Sequence, residues 1–269
     1  MQPMTTIALR AARKAGDSIL ESFDRLDSLK IEVKQANDFV TQVDKRAEKI
    51  IIHALKKAYP DHGFLAEESG LQPGKGAGAE YQWVIDPLDG TTNFIHGVSH
   101  FAISIACIYR GRAEHAVVYD PVRDEAFCAS RGHGASLNGC RIRVSGRSTL
   151  NGALLATGFP FREDQQKYTE NYFNMVKAVS RGTAGVRRFG AAALDLAHVA
   201  AGRFDGFWEL GLQPWDMAAG CLLVKESGGL LSDLQGGNNY YETGFIVCGT
   251  PKCFKEILTR IQPWADLSC

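Results

Sequence analysis

The hydrophobic pattern of this chain changes period near residue 60, and that change limits the folds open to it more than any other feature. Apolar side chains at Ile7, Ala11, Ala15, Ile19 and Phe23, with Ala8, Ala12 and Leu20 beside them, form a helical stripe after a Thr5/Thr6 cap. Thr41 and Asp44 then precede Ala47, Ile50, Ile51, Ala54, Leu55 and Ala58, which predicts a second helix closed by Pro60 and Asp61. From Gly63 the period falls toward two. Strands are predicted at 63–66, 82–85, 101–109, 113–119, 125–129 and 141–144, with turn signals such as Arg110-Gly111 and Asn138-Gly139 between the later ones. The stretch 71–79, rich in Gly, Lys and Pro, reads as a surface loop. The first half is therefore helices followed by an antiparallel meander.

Beyond residue 150 helix and strand alternate: strands at 153–157, 204–210, 230–233 and 244–249, helices at 165–179, 191–201, 215–227 and 252–261. One α+β unit of two subdomains, 1–150 and 151–269, is expected, with ligands favouring the seam. A chain of 269 residues, 45% hydrophobic, supports such a core. Its longest apolar run, about nine residues, is far short of the roughly 20 needed to span a bilayer. Thirty basic residues balance thirty acidic ones, so no global field steers the chain to nucleic acid or membrane. Seven scattered cysteines, an odd number without a C-x-x-C, suit free thiols, and with no export signal in residues 1–16 they predict a cytoplasmic protein.

Four acidic clusters fall where strands end or helices begin: Asp44, Glu67-Glu68, Asp86 with Asp89, and Asp216. In Asp86-Pro87-Leu88-Asp89-Gly90-Thr91-Thr92-Asn93, Pro87 is expected to end the strand and turn the chain, so that both carboxylates face one point. Gly90 permits an unusual backbone angle, and Thr91-Thr92 would present hydroxyls and N–H groups at a helix start, a natural anion site. Carboxylates beside a phosphate seat, without clustered histidine or cysteine, select a hard cation such as Mg²⁺. Each cluster also has a plain structural reading. Asp-Pro followed by Asp-Gly-Thr is ordinary turn chemistry. Asp44 and Asp216 suit helix caps, and Glu68 suits a solvated strand end.

Taken in order and spacing, Glu67-Glu68-Ser69, the segment Asp86 to Asn93 and Trp215-Asp216-Met217-Ala218-Ala219-Gly220 resemble the inositol monophosphatase family over essentially the whole chain. Asn37 to Thr41, Ala156 to Phe161 and Ala192 to Leu196 place it nearest the bacterial SuhB-type branch. The resemblance implies a layered αβαβα sandwich of the inositol monophosphatase and fructose-bisphosphatase type, assembled as a homodimer. It implies Mg²⁺ held by Glu67, Asp86, the carbonyl of Leu88, Asp89 and Asp216, with Li⁺ inhibition. Gly90 and Thr91 would contact phosphate, and Thr91 would pair with Asp44 to orient water. Gly190, Ala191, Ala192 and Glu209, with Glu67, Leu88, Asp89 and Asp216, would complete the substrate site. Lys34 and Asp38 fall in the family's mobile metal-associated loop. The implied activity is hydrolysis of myo-inositol monophosphate or another small alcohol phosphate, with sugar, nucleotide and histidinol phosphates as alternatives. The branch also implies a second role, in transcription antitermination with RNA polymerase and Nus factors.

Physical chemistry supports the hydrolytic reading, since metal-activated water attacking a monoester needs no protein nucleophile. Two residues, not one, separate Asp86 and Asp89, against the D-x-D of aspartyl-phosphate enzymes. No cysteine has an arginine at the offset cysteine phosphatases need, Gly70 to Gly76 is not a P-loop, and paired histidines for zinc are lacking. A docking surface competes for attention: Arg131, Arg141, Arg143, Arg147 and Arg162 lie in 126–162 without one acid, and Arg187-Arg188 adds a basic pair. A solvated strand face or a dimer rim is the plainer alternative.

Overall fold

The change of period is realised as two helices, α1 (Pro3–Phe23) and α2 (Gln42–Ala58), laid on one face of an eight-stranded sheet. The computed structural model describes residues 1–26, 31–35 and 38–267, with backbone alone at 31–35 and 38–41. A hairpin of β1 (Ile31–Gln35) and β2 (Asp38–Thr41) precedes α2. The sheet contains β3 (Gly63–Ala66), β4 (Gly70–Gln72), β5 (Tyr81–Asp89), β6 (Ala102–Tyr109), β7 (Arg112–Asp120), β8 (Glu125–Ser130), β9 (Gly134–Leu137) and β10 (Cys140–Ile142). Its order is β10-β9-β8-β7-β6-β5-β3-β4, antiparallel throughout except for the parallel pair β3 and β5. The short helix α3 (Thr91–Ile95) follows β5 directly.

A second sheet of five strands comprises β11 (Leu154–Thr157), β12 (Gly185–Arg187), β13 (Gly206–Glu209), β14 (Leu230–Ser232) and β15 (Ile246–Gly249), ordered β12-β11-β13-β15-β14. Around it lie α4 (Thr169–Ser180), α5 (Ala192–Ala200), α6 (Pro214–Glu226), α7 (Tyr240–Thr243) and α8 (Pro251–Ile261).

Strand alternation sorts the side chains into three cores. Trp83, Ile85, Ile103, Ile105, Val117 and Tyr119 point to α1 and α2, packing with Ala8, Ala12, Ile19, Ile51 and Leu55. Their neighbours Val84, Ala102, Ala106, Ala116 and Val118 point the other way, to α5 and α6, and Phe207, Ile246 and Cys248 of the second sheet close that core from beyond. Leu155, Trp208 and Val247 face the third core, under α4 and α8. The chain is thus a layered αβαβα sandwich. Its middle layer is thin because both walls are alanine-rich: a Cβ added at Gly220 of α6 would sit 2.5 Å from the Cβ of Leu196 on α5.

Some local expectations are corrected. Helix α1 starts earlier, with Pro3 in its first turn, and Thr5 is no cap: its hydroxyl lies 2.8 Å from Ser130 Oγ. Pro87 does not end its strand, because β5 runs on to Asp89 through a bulge in which three steps from Asp86 oppose two from Ser104 to Ala102. The bulge takes Pro87, which has no N–H, out of the ladder. Part of 71–79 is ordered as the end of β4 and a 3₁₀ turn at Gly76–Glu80. Strands β9 and β12 and the short helix α7 had no periodic signal, each being only three or four residues long.

Candidate active site

Parallel pairing of β3 with β5 sets Ala66 opposite Ile85, so Glu67 leaves its strand beside Asp86. The N–H of Glu67 donates to the carbonyl of Ile85 at 3.1 Å, which fixes that register at the strand ends. On the other side of β5, Asp86 is opposite Ser104 of β6, and Ser104 Oγ donates to the carbonyl of Trp215 at 3.0 Å. One hydroxyl therefore docks the start of α6, and with it Asp216, beside Asp86. Helix α5 is tied in the same way: the N–H of Ala193 donates to Asp89 Oδ2 at 2.7 Å. Gly90 makes the turn from β5 into α3 in the left-handed region, at φ 93°. It also lets three segments meet, since a Cβ there would lie 3.1 Å from the His100 carbonyl and 3.3 Å from that of Gly190.

A cavity of about 130 Å³ results, lined by Glu67, Asp86, Leu88, Asp89, Gly90, Thr91 and Asp216, with Thr92, Asn93, Arg188 and Gly190. Asp44 stands behind this wall, buried on the first turn of α2. Its Oδ1 is 3.0 Å from Thr91 Oγ1, which also lies 3.0 Å from the carbonyl of Leu88. A second cavity of about 120 Å³ shares Asp89, Arg188, Gly190 and Asp216, and adds Ala192, Glu209 and Arg162 among others. Ala191 lines neither, being buried against Gly90. The side chains of Lys34 and Asp38 lie outside the described residues, as does Asn37 altogether.

The electrostatics follow from this crowding. Burial, then the charges of Glu67, Asp89 and Asp216, push the Asp86 carboxyl well above its usual range. Asp89 is raised by burial and Asp216, against the Ala193 N–H that favours its ionised form. Glu209 rises to about 8 through burial and Asp216, although Arg188 and Arg162 oppose the shift. Among the described residues no three carboxylate, histidine or cysteine side chains close on a single point as a preformed metal cage would, although Glu67, Asp86, Asp89 and Asp216 all line the one cavity. Four carboxyls lining one cavity repel one another once ionised, which calls for positive charge, and their oxygen chemistry suits a hard cation.

The capping readings survive in part. Asp216 is the third residue of α6, and its Oδ2 accepts from the N–H of Gln213 at 2.7 Å while the residue lines both cavities. Glu68 lines neither cavity; its N–H donates to Oε2 of buried Glu48 at 2.8 Å. Glu48 carries no motif that marks it in the sequence, although it is four residues after Asp44 and so shares its helix face. Gly158 had no assigned role either. Thr157 is opposite Trp208, so Gly158 falls beside Glu209, whose carboxylate rests where a Cβ would go, 1.7 Å from Oε1. Asp195 of α5 is a further buried acid; Oδ1 has no hydrogen-bond partner, and burial followed by Glu209 and Asp89 raises its pKa strongly.

The basic stretch is largely matched by acids from elsewhere in the chain. Arg131 pairs with Glu114 at 2.8 Å, Arg147 with Asp205 at 2.9 Å and Arg162 with Asp164 at 3.8 Å. Arg141 and Arg143 make no ion pair among the described residues. Arg188 faces the cleft and stacks over Phe161 at 5.2 Å.

The inositol monophosphatase family model matches residues 1–264. A Pseudomonas aeruginosa protein named Nus factor SuhB is 62% identical over 263 residues, covering 98% of this chain and 97% of that one. The crystal structure of extragenic suppressor protein suhB from Bartonella henselae superposes with a TM-score of 0.93 at 42% identity, over 97% of this chain and 99% of the other. Inositol monophosphatase from Anabaena gives 0.85 at 35% identity, over 97% and 96%.

Proposed function

Because the chain belongs to the inositol monophosphatase family, we propose that its acidic cleft hydrolyses a small alcohol phosphate, with myo-inositol monophosphate the first substrate to test and Mg²⁺ the cofactor. The observation that carries the reading is the burial of Asp86 and Asp89 in one cavity with Glu67 and Asp216. Glu67, Asp86, the carbonyl of Leu88, Asp89 and Asp216 would hold the metal. When bound, Mg²⁺ supplies positive charge that offsets the ester dianion and acidifies water.

The chain's own groups supply the rest. The Thr91 hydroxyl has one proton and two acceptors in reach, Asp44 Oδ1 and the Leu88 carbonyl. Donating that proton to either leaves Oγ1 able to accept one from water, and buried Asp44 works through Thr91 without reaching the cavity. The leading N–H groups of α3, without intrahelical acceptors, serve phosphate oxygens through Gly90 and Thr91. Gly190, Ala191, Ala192 and Glu209 form the side on which the alcohol half would lie, with Glu209 accepting hydroxyl protons.

Phosphate release from inositol 1-phosphate, measured with and without Mg²⁺ for wild type and Asp89→Asn, tests this reading. Release is expected only from wild type with Mg²⁺, the variant losing at least ~10²-fold. Equal rates in all four reactions would overturn it.

A second role rests on the name Nus factor carried by the Pseudomonas relative. The chain, as a homodimer in the cytoplasm, would also join RNA polymerase and Nus factors. The same Asp89→Asn protein separates the two roles: association with the transcription machinery should be magnesium-independent and survive the substitution. Its absence at moderate salt counts against the second role.

A further inference from the structure

Asn93, in the short helix α3 that follows β5, reaches both flanking segments of the cleft. Its Nδ2 donates to the carbonyl of His100 at 2.8 Å and to that of Phe189 at 2.8 Å, and the Gly190 carbonyl lies 3.5 Å away. An amide has two N–H bonds, so these acceptors use its whole donor capacity. The main-chain carbonyl of Asn93 meanwhile accepts from the N–H of Val98 at 2.8 Å, closing the turn that delivers His100. The residues it grips are those that converge on Gly90, where His100 and Gly190 carbonyls approach to 3.1 and 3.3 Å of a Cβ position. Next to its Phe189 acceptor, Arg188 and Gly190 line both cavities, and Ala192 opens α5 and lines the second.

We propose that Asn93 is a positioning residue: it pins the 188–192 segment, the wall on the alcohol side, to the loop 86–91 that carries the metal and phosphate side. Two further contacts join these walls: the hydrogen bond from Ala193 to Asp89, and the Phe189 ring stacked on that of His100 at 4.9 Å. The first fixes α5 and the second an apolar ring, whereas the backbone carbonyls of the left-handed Gly190 turn, at φ 82°, face the Asn93 amide. The inference rests on the hydrolytic reading for its kinetic consequence, though not for its structural one.

Asn93→Asp tests it, since the replacement keeps the shape and sets carboxylate oxygen against two carbonyls. Asn93→Ala removes the donors without adding charge and serves if the first variant does not fold. Hydrogen exchange of 186–192 should accelerate in the variants while that of β5 to β7 is unchanged. With inositol 1-phosphate and Mg²⁺, kcat should fall about 100-fold, the cost of misplacing reacting groups by roughly 1 Å, with KM within about threefold. Unchanged kcat and exchange overturn the proposal. So does a uniform rise in exchange with a lowered melting temperature and a loss of kcat that tracks the unfolded fraction. A wild type without turnover removes the hydrolytic reading, and exchange alone then decides whether Asn93 is the brace.

Discussion

Glu209 has its place because residue 158 has no side chain. In Gly158→Ala the new Cβ would overlap Oε1, and the carboxylate must leave its position. Losing one hydrogen bond to the substrate corresponds to about 1.4 kcal/mol, so KM for a polyol phosphate should rise roughly tenfold. Mg²⁺ affinity, read by calorimetry, should stay as in wild type; a substitution that moves both or neither contradicts this account of Gly158. At this scale the sequence was legible wherever a residue's chemistry announces itself. Glu67, Asp86, Leu88, Asp89, Thr91 and Asp216 line one cavity, as their order along the chain leads one to expect, whereas Glu68, equally acidic and adjacent, does not. Gly158, Asn93 and Ser104 were not legible, because each acts by what it touches in a distant segment. A glycine left small for a carboxylate looks like any other glycine.

Among the elements, α5 and α6 define the middle layer, and their approach depends on Gly220. Alanine there gains about 0.5–1 kcal/mol of helix propensity. It also forces the Leu196 Cβ, 2.5 Å from the new methyl, to move with its helix backbone. Overpacking of this kind costs about 1–3 kcal/mol, so Gly220→Ala should destabilise on balance and lower the urea midpoint. A raised midpoint would show the layer to be looser than its packing implies. The amphipathic helices and the meander were readable because one buried face imposes a period. The bulge at Pro87 looks in the sequence like a strand end, since proline reports only that a ladder bond is missing. Whether a strand stops or steps around that gap is settled by the partner strand, here β6.

For the whole molecule the acidic cleft couples folding to pH. The pKa of Glu209 is raised from 4.5 to about 8, and Asp86 and Asp89 are raised too. The stabilisation such groups give is complete below the unfolded pKa and is lost as pH rises through the folded one. The metal-free protein should therefore lose stability between about pH 4.5 and 8 on account of Glu209. Divalent metal, which binds ionised carboxylates, reverses this and stabilises more as pH rises. His100 and His198, whose pKa values are lowered chiefly by burial, act in the opposite direction. They line neither cavity, so the difference between melting temperatures with and without Mg²⁺ isolates the cleft. That difference should be larger at pH 8 than at pH 5.5; a difference independent of pH would disconnect the carboxylates from the metal.

Strand β10 closes one margin of the eight-stranded sheet, and a margin of that kind offers unmatched N–H and carbonyl groups to any passing strand. Arg141 of that strand lays its guanidinium over Gly134 of β9, and Arg143 follows just after, both exposed and both without an ion pair among the described residues. Two like charges held there would repel a second copy of the same strand, a fence against the sheet growing, molecule upon molecule, into a fibre.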